Sequence, residues 1–184
     1  IKRKKPSACR RLFAFYVQLK EVVMTEIIKV TAEDSKHLDQ VKLLFREYAN
    51  WLNVDLSFQQ FEEELAHLPG VYVPPVGALF LAQVDGKLAG CVAVRSFDNS
   101  IAEMKRLFVK DAFKGHGVGK ALASAAIEES KKLGYKRILL DTLAHMRPAI
   151  DLYTSLGFQP IAAYYDNPIS DAVYLSLNIE EAAV

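Results

Sequence analysis

Apolar residues recur along the chain with two periods, and the points where the period changes divide it into elements. Glu26 to Thr31 reads as a short strand. Leu38, Val41, Phe45, Tyr48 and Leu52 then fall at spacings of 3, 4, 3 and 4, one face of a helix that Asp34 or Ser35 can cap. Ser57 and Gln60 make an S-x-x-Q capping pattern. It predicts a second helix with Phe58, Phe61, Leu65 and Leu68 inward, Glu62 to Glu64 mostly outward, and a stop at Pro69-Gly70. Ala78 to Val84 and Leu88 to Ser96 are β-like runs joined at Asp85-Gly86-Lys87, a hairpin signal because both residues of the D-G pair tolerate positive φ. Ile101 to Val109 follows the turn Asp98-Asn99-Ser100, and three strands on links this short must form an antiparallel meander.

Past the meander the period lengthens again. Gly115, Gly117 and Gly119 open a helix with Val118, Leu122, Ala125 and Leu133 inward, a Glu128/Lys132 pair outside and Gly134 as its stop. Arg137 to Thr142 reads as a strand, Pro148 to Leu156 as a helix stopped by Gly157, and the tail as two strands around Ile161 to Tyr165 and Ala172 to Leu177. There is no internal repeat.

Composition narrows the class. With 184 residues, 51% hydrophobic and 24% charged, the chain is sized for one globular domain with a sizeable core, which excludes disorder and collagen. No apolar run nears the ~18 residues that span a bilayer, so no membrane partner is expected. The net charge of +1 hides an asymmetry: residues 1–23 carry seven basic residues against Glu21, +6, leaving 16 cations against 21 anions, −5. An acidic body with a short basic leader is not the pattern of a nucleic-acid-binding face. Cys9 and Cys91 lie 82 positions apart without CxxC spacing, which excludes a zinc ribbon and a disulfide framework and fits a reducing cytoplasm. The leader has the basic-then-apolar order of a secretory signal, but Gln18 and Lys20 interrupt it and no A-x-A site follows. Organelle targeting, a non-native extension ahead of Met24 and a native helical arm remain open, with residues 24–184 as the single domain.

The chemistry concentrates in Glu103 to Val109 and the segment Lys114-Gly-His-Gly-Val-Gly119-Lys120, a glycine loop between a strand and a helix. Glycines let successive amides converge on one point, and a helix N-terminus adds about half a positive charge, so the loop is suited to a phosphate. Walker A fails because Lys120 precedes Ala121 and position 114 is Lys; the dinucleotide fingerprint fails because its third glycine would be Lys120. A glycine-rich turn without a ligand is the bland alternative.

From about Glu26 to Leu177 the chain resembles the GNAT superfamily of N-acetyltransferases. The resemblance is carried by Lys114-x-x-Gly117-x-Gly119, similar to the family's Q/R-x-x-G-x-G/A loop, and by Ala149-Ile-Asp-Leu-Tyr153-Thr-Ser-Leu-Gly157-Phe158, similar to its A-x-x-L-Y-x-x-x-G-F block. It implies an α/β fold of the α+β type: a twisted mixed sheet of about seven strands with an antiparallel first half and about four flanking helices. The sheet would splay between the Glu103 to Val109 and Arg137 to Thr142 strands, and acetyl-CoA would lie in the opening as acetyl donor. The backbone of Leu107, Phe108 and Val109 would bond the pantetheine arm, and the amides of Gly115, His116, Gly117, Val118, Gly119 and Lys120 would hold the pyrophosphate, with Lys114 beside them. Two positions depart from the pattern: Lys114 keeps the charge of the usual Arg but not its fork, and Met146 replaces a common Asn.

Acetyl transfer requires that an ammonium lose a proton, that the thioester oxygen be stabilised and that the thiolate leave. By the resemblance Glu103 is the base, acting through water, Tyr153 the acid for the leaving sulfur, and an amide near Val109 polarises the carbonyl. The residues alone leave Glu103 equally readable as a carboxylate paired with Lys105 or Arg106, and Tyr153 as plain core. His116 is expected to face solvent near the phosphates, His145 to border the acceptor cleft, and Cys91 to be a buried hydrophobe. No residue spacing calls for a metal. The acceptor is expected to be a small-molecule amine, lined by Tyr72, Arg95, Arg106 and Tyr164 to Asn167, with a homodimer left open. If Arg95 and Arg106 held a carboxylate, a free amino acid would be favoured. Two other classes stay in play: a catalytically weak acyl-CoA-binding sensor or structural module of the same fold, and a nucleotide binder.

Overall fold

The computed structural model describes residues 24–180. The leader expected at 1–23 lies outside them. Seven strands form one sheet in the order β1-β2-β3-β4-β5-β7-β6. β1 (Thr25–Val30), β2 (Ala78–Val84), β3 (Lys87–Ser96) and β4 (Ile101–Val109) pair antiparallel; β5 (Arg137–Leu143) joins β4 in parallel; β7 (Ala172–Asn178) lies antiparallel between β5 and β6 (Gln159–Ile161). The parallel step is possible because α3 (Val118–Lys132) supplies the crossover from β4 to β5. The β2–β3 turn places Asp85 at φ 49° and Gly86 at φ 74°, the left-handed pair that matches the twist of a two-residue hairpin.

Both faces of the sheet are covered, which is why its central strands are apolar on both sides. One face buries Val118, Leu122, Ala126 and Ile127 of α3 against Phe80, Val92 and Ile138. The other buries Leu38, Val41, Leu44 and Phe45 of α1 (Ser35–Leu52) against Leu79, Leu81 and Cys91. Asp34 caps α1 by accepting from the His37 amide at 3.2 Å. α4 (Arg147–Ser155) packs at the first face, with Gly157 at φ 94° ending it.

Three local expectations are corrected. Ser57 and Gln60 do not form a capping box: Ser57–Gln59 is a 3₁₀ turn whose first amide, that of Ser57, is taken by Asp55 at 2.8 Å. Gln60 then adopts a left-handed φ of 56°, and α2 spans only Phe61–Ala66, with Phe61 and Leu65 buried. Glu128 pairs with Lys131 at 2.9 Å rather than with Lys132, which lies 3.9 Å from Glu129. The strand expected at Ile161 to Tyr165 is β6, which stops at Ile161, because Tyr164 and Tyr165 turn inward to donate to carboxylates.

Candidate active site

β4 and β5 stay together for only three residue pairs, the last being Glu103 with Leu139, and then diverge. The divergence begins just before a bulge: β4 places one extra residue between its partners of Cys91 and Ala93, and Arg106 takes a φ of 57° there. The Arg106 guanidinium is buried and fully engaged. It donates to both Glu64 oxygens at 3.2 and 2.5 Å and to Gln59 at 2.9 Å, and it lies against the Tyr48 and Phe61 rings. Tyr72, expected at an acceptor loop, is core instead, donating to Glu64 at 2.6 Å. The second helix is thereby bound to the bulge that opens the sheet.

The opening is a cleft of about 630 Å³. Leu107, Phe108 and Val109 form one wall, and their strand edge beyond Glu103 has no β5 partner. Trp51 and Tyr48 of α1 border it from one side and Leu152 and Tyr153 of α4 from the other. At its outer end Lys114, Gly115, Gly117, Val118, Gly119 and Lys120 line the wall. Gly115 and Gly117 sit at φ 80° and 79° with open space where a Cβ would be, so positive φ explains them both. At Gly119 a Cβ would make ordinary contacts, 3.4 Å to Leu152 and 3.6 Å to Val109, so neither packing nor φ demands a glycine there. No side chain caps α3, and the first amide of its start to find a carbonyl is Ala121, bonding Gly117 at 3.0 Å. The amides before it point outward for an anion. Lys114 pairs with Asp111 at 2.6 Å and lies 4.5 Å over the Trp51 ring, so its charge stands at the cleft mouth. His116 is exposed, its ring bonded to the Lys114 carbonyl at 3.0 Å, and its side chain is off the cleft wall. These features fit a pyrophosphate-bearing thioester: Lys120 and the free amides would hold the phosphates and the unpaired edge of β4 the arm.

At the inner end lies a buried ionic array. Glu103 is 1% exposed and is not on the cleft wall. One of its oxygens binds Arg95 at 2.6 and 2.7 Å; the other accepts from Tyr164 at 2.9 Å and lies 3.5 Å from Lys105. Burial works to raise this carboxyl, but the charges of Lys105 and Arg95 and the two hydrogen bonds outweigh it and hold it below the usual glutamate range. Lys105 also reaches Asp141 at 3.4 Å, across the fork, and Tyr165 donates to Asp141 at 3.1 Å. The carboxylate expected to act as base, Glu103, is thus only 2% exposed along its side chain and stands behind the wall, whereas Asp141 is 15% exposed and lines it. Sequence reading offered the Glu103–Lys105 pair that the structure shows but missed Asp141 and Trp51; the one available signal for Asp141 was an isolated carboxylate in the apolar run Arg137 to Leu143.

Tyr153 unites the two roles that its sequence left open. Its ring packs on Phe158 in the core at 5.7 Å, while its hydroxyl borders the cleft. Burial, with smaller contributions from Tyr48 and Asp141, pushes the phenol up, so it holds its proton at neutral pH. Cys91 is buried with its thiol raised by burial, an inert packing residue. His145 pairs with Asp171 at 3.2 Å on the exposed rim. Among the described residues no helix is long and apolar enough to cross a membrane, and no group of three or more His, Cys, Asp or Glu could hold a metal ion.

Comparison with known proteins agrees with this geometry. An N-acetyltransferase of Schizosaccharomyces pombe with no assigned substrate is 40% identical over 146 residues, covering 78% of this chain and 90% of its own. Human N-acetylaspartate synthetase is 34% identical over 117 residues, 62% of this chain but 38% of that protein. Among solved structures, an acetyltransferase from Streptococcus agalactiae superposes with a TM-score of 0.69 at 21% identity over 84% of this chain and 98% of its own. A putative acetyltransferase from Salmonella typhimurium, determined with acetyl-CoA, gives 0.60 at 20% identity over 87% and 96%. The model of the acetyltransferase (GNAT) family matches residues 39–158, the stretch that builds both walls of the cleft, and the chain belongs to that family.

Proposed function

We propose that the protein is an acetyl-CoA-dependent N-acetyltransferase that moves the acetyl group directly to the primary amine of a small molecule or an amino acid. The observation that carries this reading is the convergence, in one cleft, of an uncapped helix start, an unpaired strand edge and a buried protonated phenol. The amides of residues 115–120 and Lys120 bind the donor's phosphates. The edge of Leu107 to Val109 aligns the arm as an added strand and directs an amide at the thioester oxygen. Tyr153 gives its proton to the departing sulfur. Glu103 serves as a positioning residue, fixing Lys105 and Arg95 at the inner end.

The acceptor end differs from the arginine clamp expected of it. Arg106 is consumed by Glu64 and Gln59, and Arg95, paired with Glu103, does not line the cleft, so neither arginine offers the expected clamp. Similarity to N-acetylaspartate synthetase supports an amino-acid acceptor. Calorimetric titration with acetyl-CoA, CoA, ATP and NAD, followed by thiol-release assays over amino acids and simple primary amines, tests the reading. Binding of the first two ligands alone and thiol release with one amine class is expected. Binding without transfer to any amine would leave a non-catalytic CoA-binding module, and absence of acetyl-CoA binding would refute the site.

A further inference from the structure

We propose that Asp141, on β5, is the group that takes the proton from the acceptor ammonium, with Lys105 and Tyr165 holding its carboxylate at the fork of the sheet. The assignment rests on the acetyl-transfer reading above and deepens it. Four observations converge on this residue. Among the described residues that line the cleft, Asp141 is the one carboxylate. β4 and β5 last pair at Glu103 and Leu139, and Lys105 and Asp141 are two residues further along each strand, so the pair forms the floor of the opening. The phosphate end of the cleft is at the start of α3, so a donor lying along β4 brings its thioester toward that floor. Finally, Asp141 and the Tyr153 side chain line the same cleft, so that a proton acceptor and a proton donor border one opening.

Asp141 is held rather than sealed. Lys105 lies 3.4 Å from one oxygen and Tyr165 donates to the other at 3.1 Å, itself steadied by Asn167 at 2.7 Å. A carboxylate accepting one bond per oxygen keeps further lone pairs for an incoming ammonium. Glu103, by contrast, is covered and lies behind Lys105. Tyr48 on α1 lines the same cleft, Tyr174 lies opposite Asp141 on β7, and Tyr164 packs on Tyr165 in the loop before β7, all three with phenols raised and protonated. The proton inventory closes. One proton of the ammonium passes to Asp141 and then to solvent; the nitrogen lone pair forms the C–N bond; and the C–S bond breaks. The thiolate takes the Tyr153 proton, and the nitrogen's second proton restores the phenol.

The test compares Asp141→Asn with the parent, using acetyl-CoA and whichever primary amine of the panel the parent acetylates fastest, from pH 6 to 10. Turnover of the Asn variant should fall by roughly 10²- to 10⁴-fold at neutral pH and recover as pH rises and more amine is already neutral, with acetyl-CoA affinity within about threefold of the parent. Asp141→Glu, which restores a carboxylate, should regain most of the activity and the parental pH profile, and it decides the matter if the Asn variant does not fold. Parental turnover of Asp141→Asn across the pH range overturns the assignment and leaves acetyl transfer standing. A uniform loss that neither high pH nor Glu repairs assigns Asp141 to structure and overturns it equally. A parent that acetylates no amine removes both readings together.

Discussion

At single positions the site makes opposite demands on backbone and side chain. Gly117 holds a φ of 79° with open space beyond it, so a substitution there meets no clash but must strain the backbone, and its side chain would enter the anion site. Gly117→Asp should keep the fold yet weaken acetyl-CoA binding by about 100-fold or more, ~2.7 kcal/mol, measured by titration calorimetry. Unchanged affinity would move the phosphates elsewhere. Tyr153 presents the reverse case, because its ring is structural while its hydroxyl makes no hydrogen bond among the described residues. Tyr153→Phe should therefore leave the melting temperature unchanged and lower turnover about ten- to a thousandfold. A CoA thiol with a pKa of about 8.5 can leave unaided, so the loss should be smaller than that of an essential nucleophile, and it should shrink further for donors with more acidic thiols. Parental turnover in the Phe variant would reduce Tyr153 to packing.

Among the elements, those whose ends are written in local chemistry were legible from sequence. The meander follows from Asp85-Gly86 and Asp98 to Ser100, whose turns close over a few residues; Asp98 alone accepts from the Ser100 and Ile101 amides at 2.7 and 2.8 Å. The helix after the glycine loop follows from Gly117 and Gly134, both at positive φ. Legibility fails where a distant partner decides. Gln60 carries a capping pattern with Ser57, but the Arg106–Glu64 pair ties α2 across 42 residues to β4. Tyr164 and Tyr165 have the β-propensity of a strand, and carboxylates 61 and 24 residues away draw them out of one. Glu103 illustrates the same limit within the site. Its position beside the fork was readable, but its seclusion depends on Arg95 and Tyr164, which no spacing relates to it. Asp141 was overlooked for the converse reason: a strand residue becomes a cleft residue only because the sheet divides next to it.

For the whole molecule, the fork that makes the site is also a seam between two halves of one sheet, held at the backbone by three residue pairs. Glu103 stands at the last of them and joins Arg95 of β3, Lys105 of β4 and Tyr164 of the loop before β7, while Lys105 extends the array to Asp141 of β5. This clasp binds the halves where strand pairing ends, and its strength depends on Glu103 being ionised. Because the folded carboxyl titrates below the ordinary glutamate value, the unfolded chain binds its proton first as pH falls. The contribution of Glu103 to stability is thus complete above the unfolded value of about 4.3 and is lost as pH falls through the lower folded value. Removing one partner of a fully buried ion pair costs about 3–5 kcal/mol; the exposure of Arg95 reduces this to roughly 2 kcal/mol here. Glu103→Gln should accordingly lower the melting temperature by about 4–8 °C at pH 7, and the gap to the parent should close progressively below pH ~4. Thermal melts of the two proteins across pH 2.5 to 7 measure it. A gap that stays constant to the acid end would show that the ionised carboxylate does not hold the seam, and that the sheet is kept together at the fork by the packing of α3 and α4 alone.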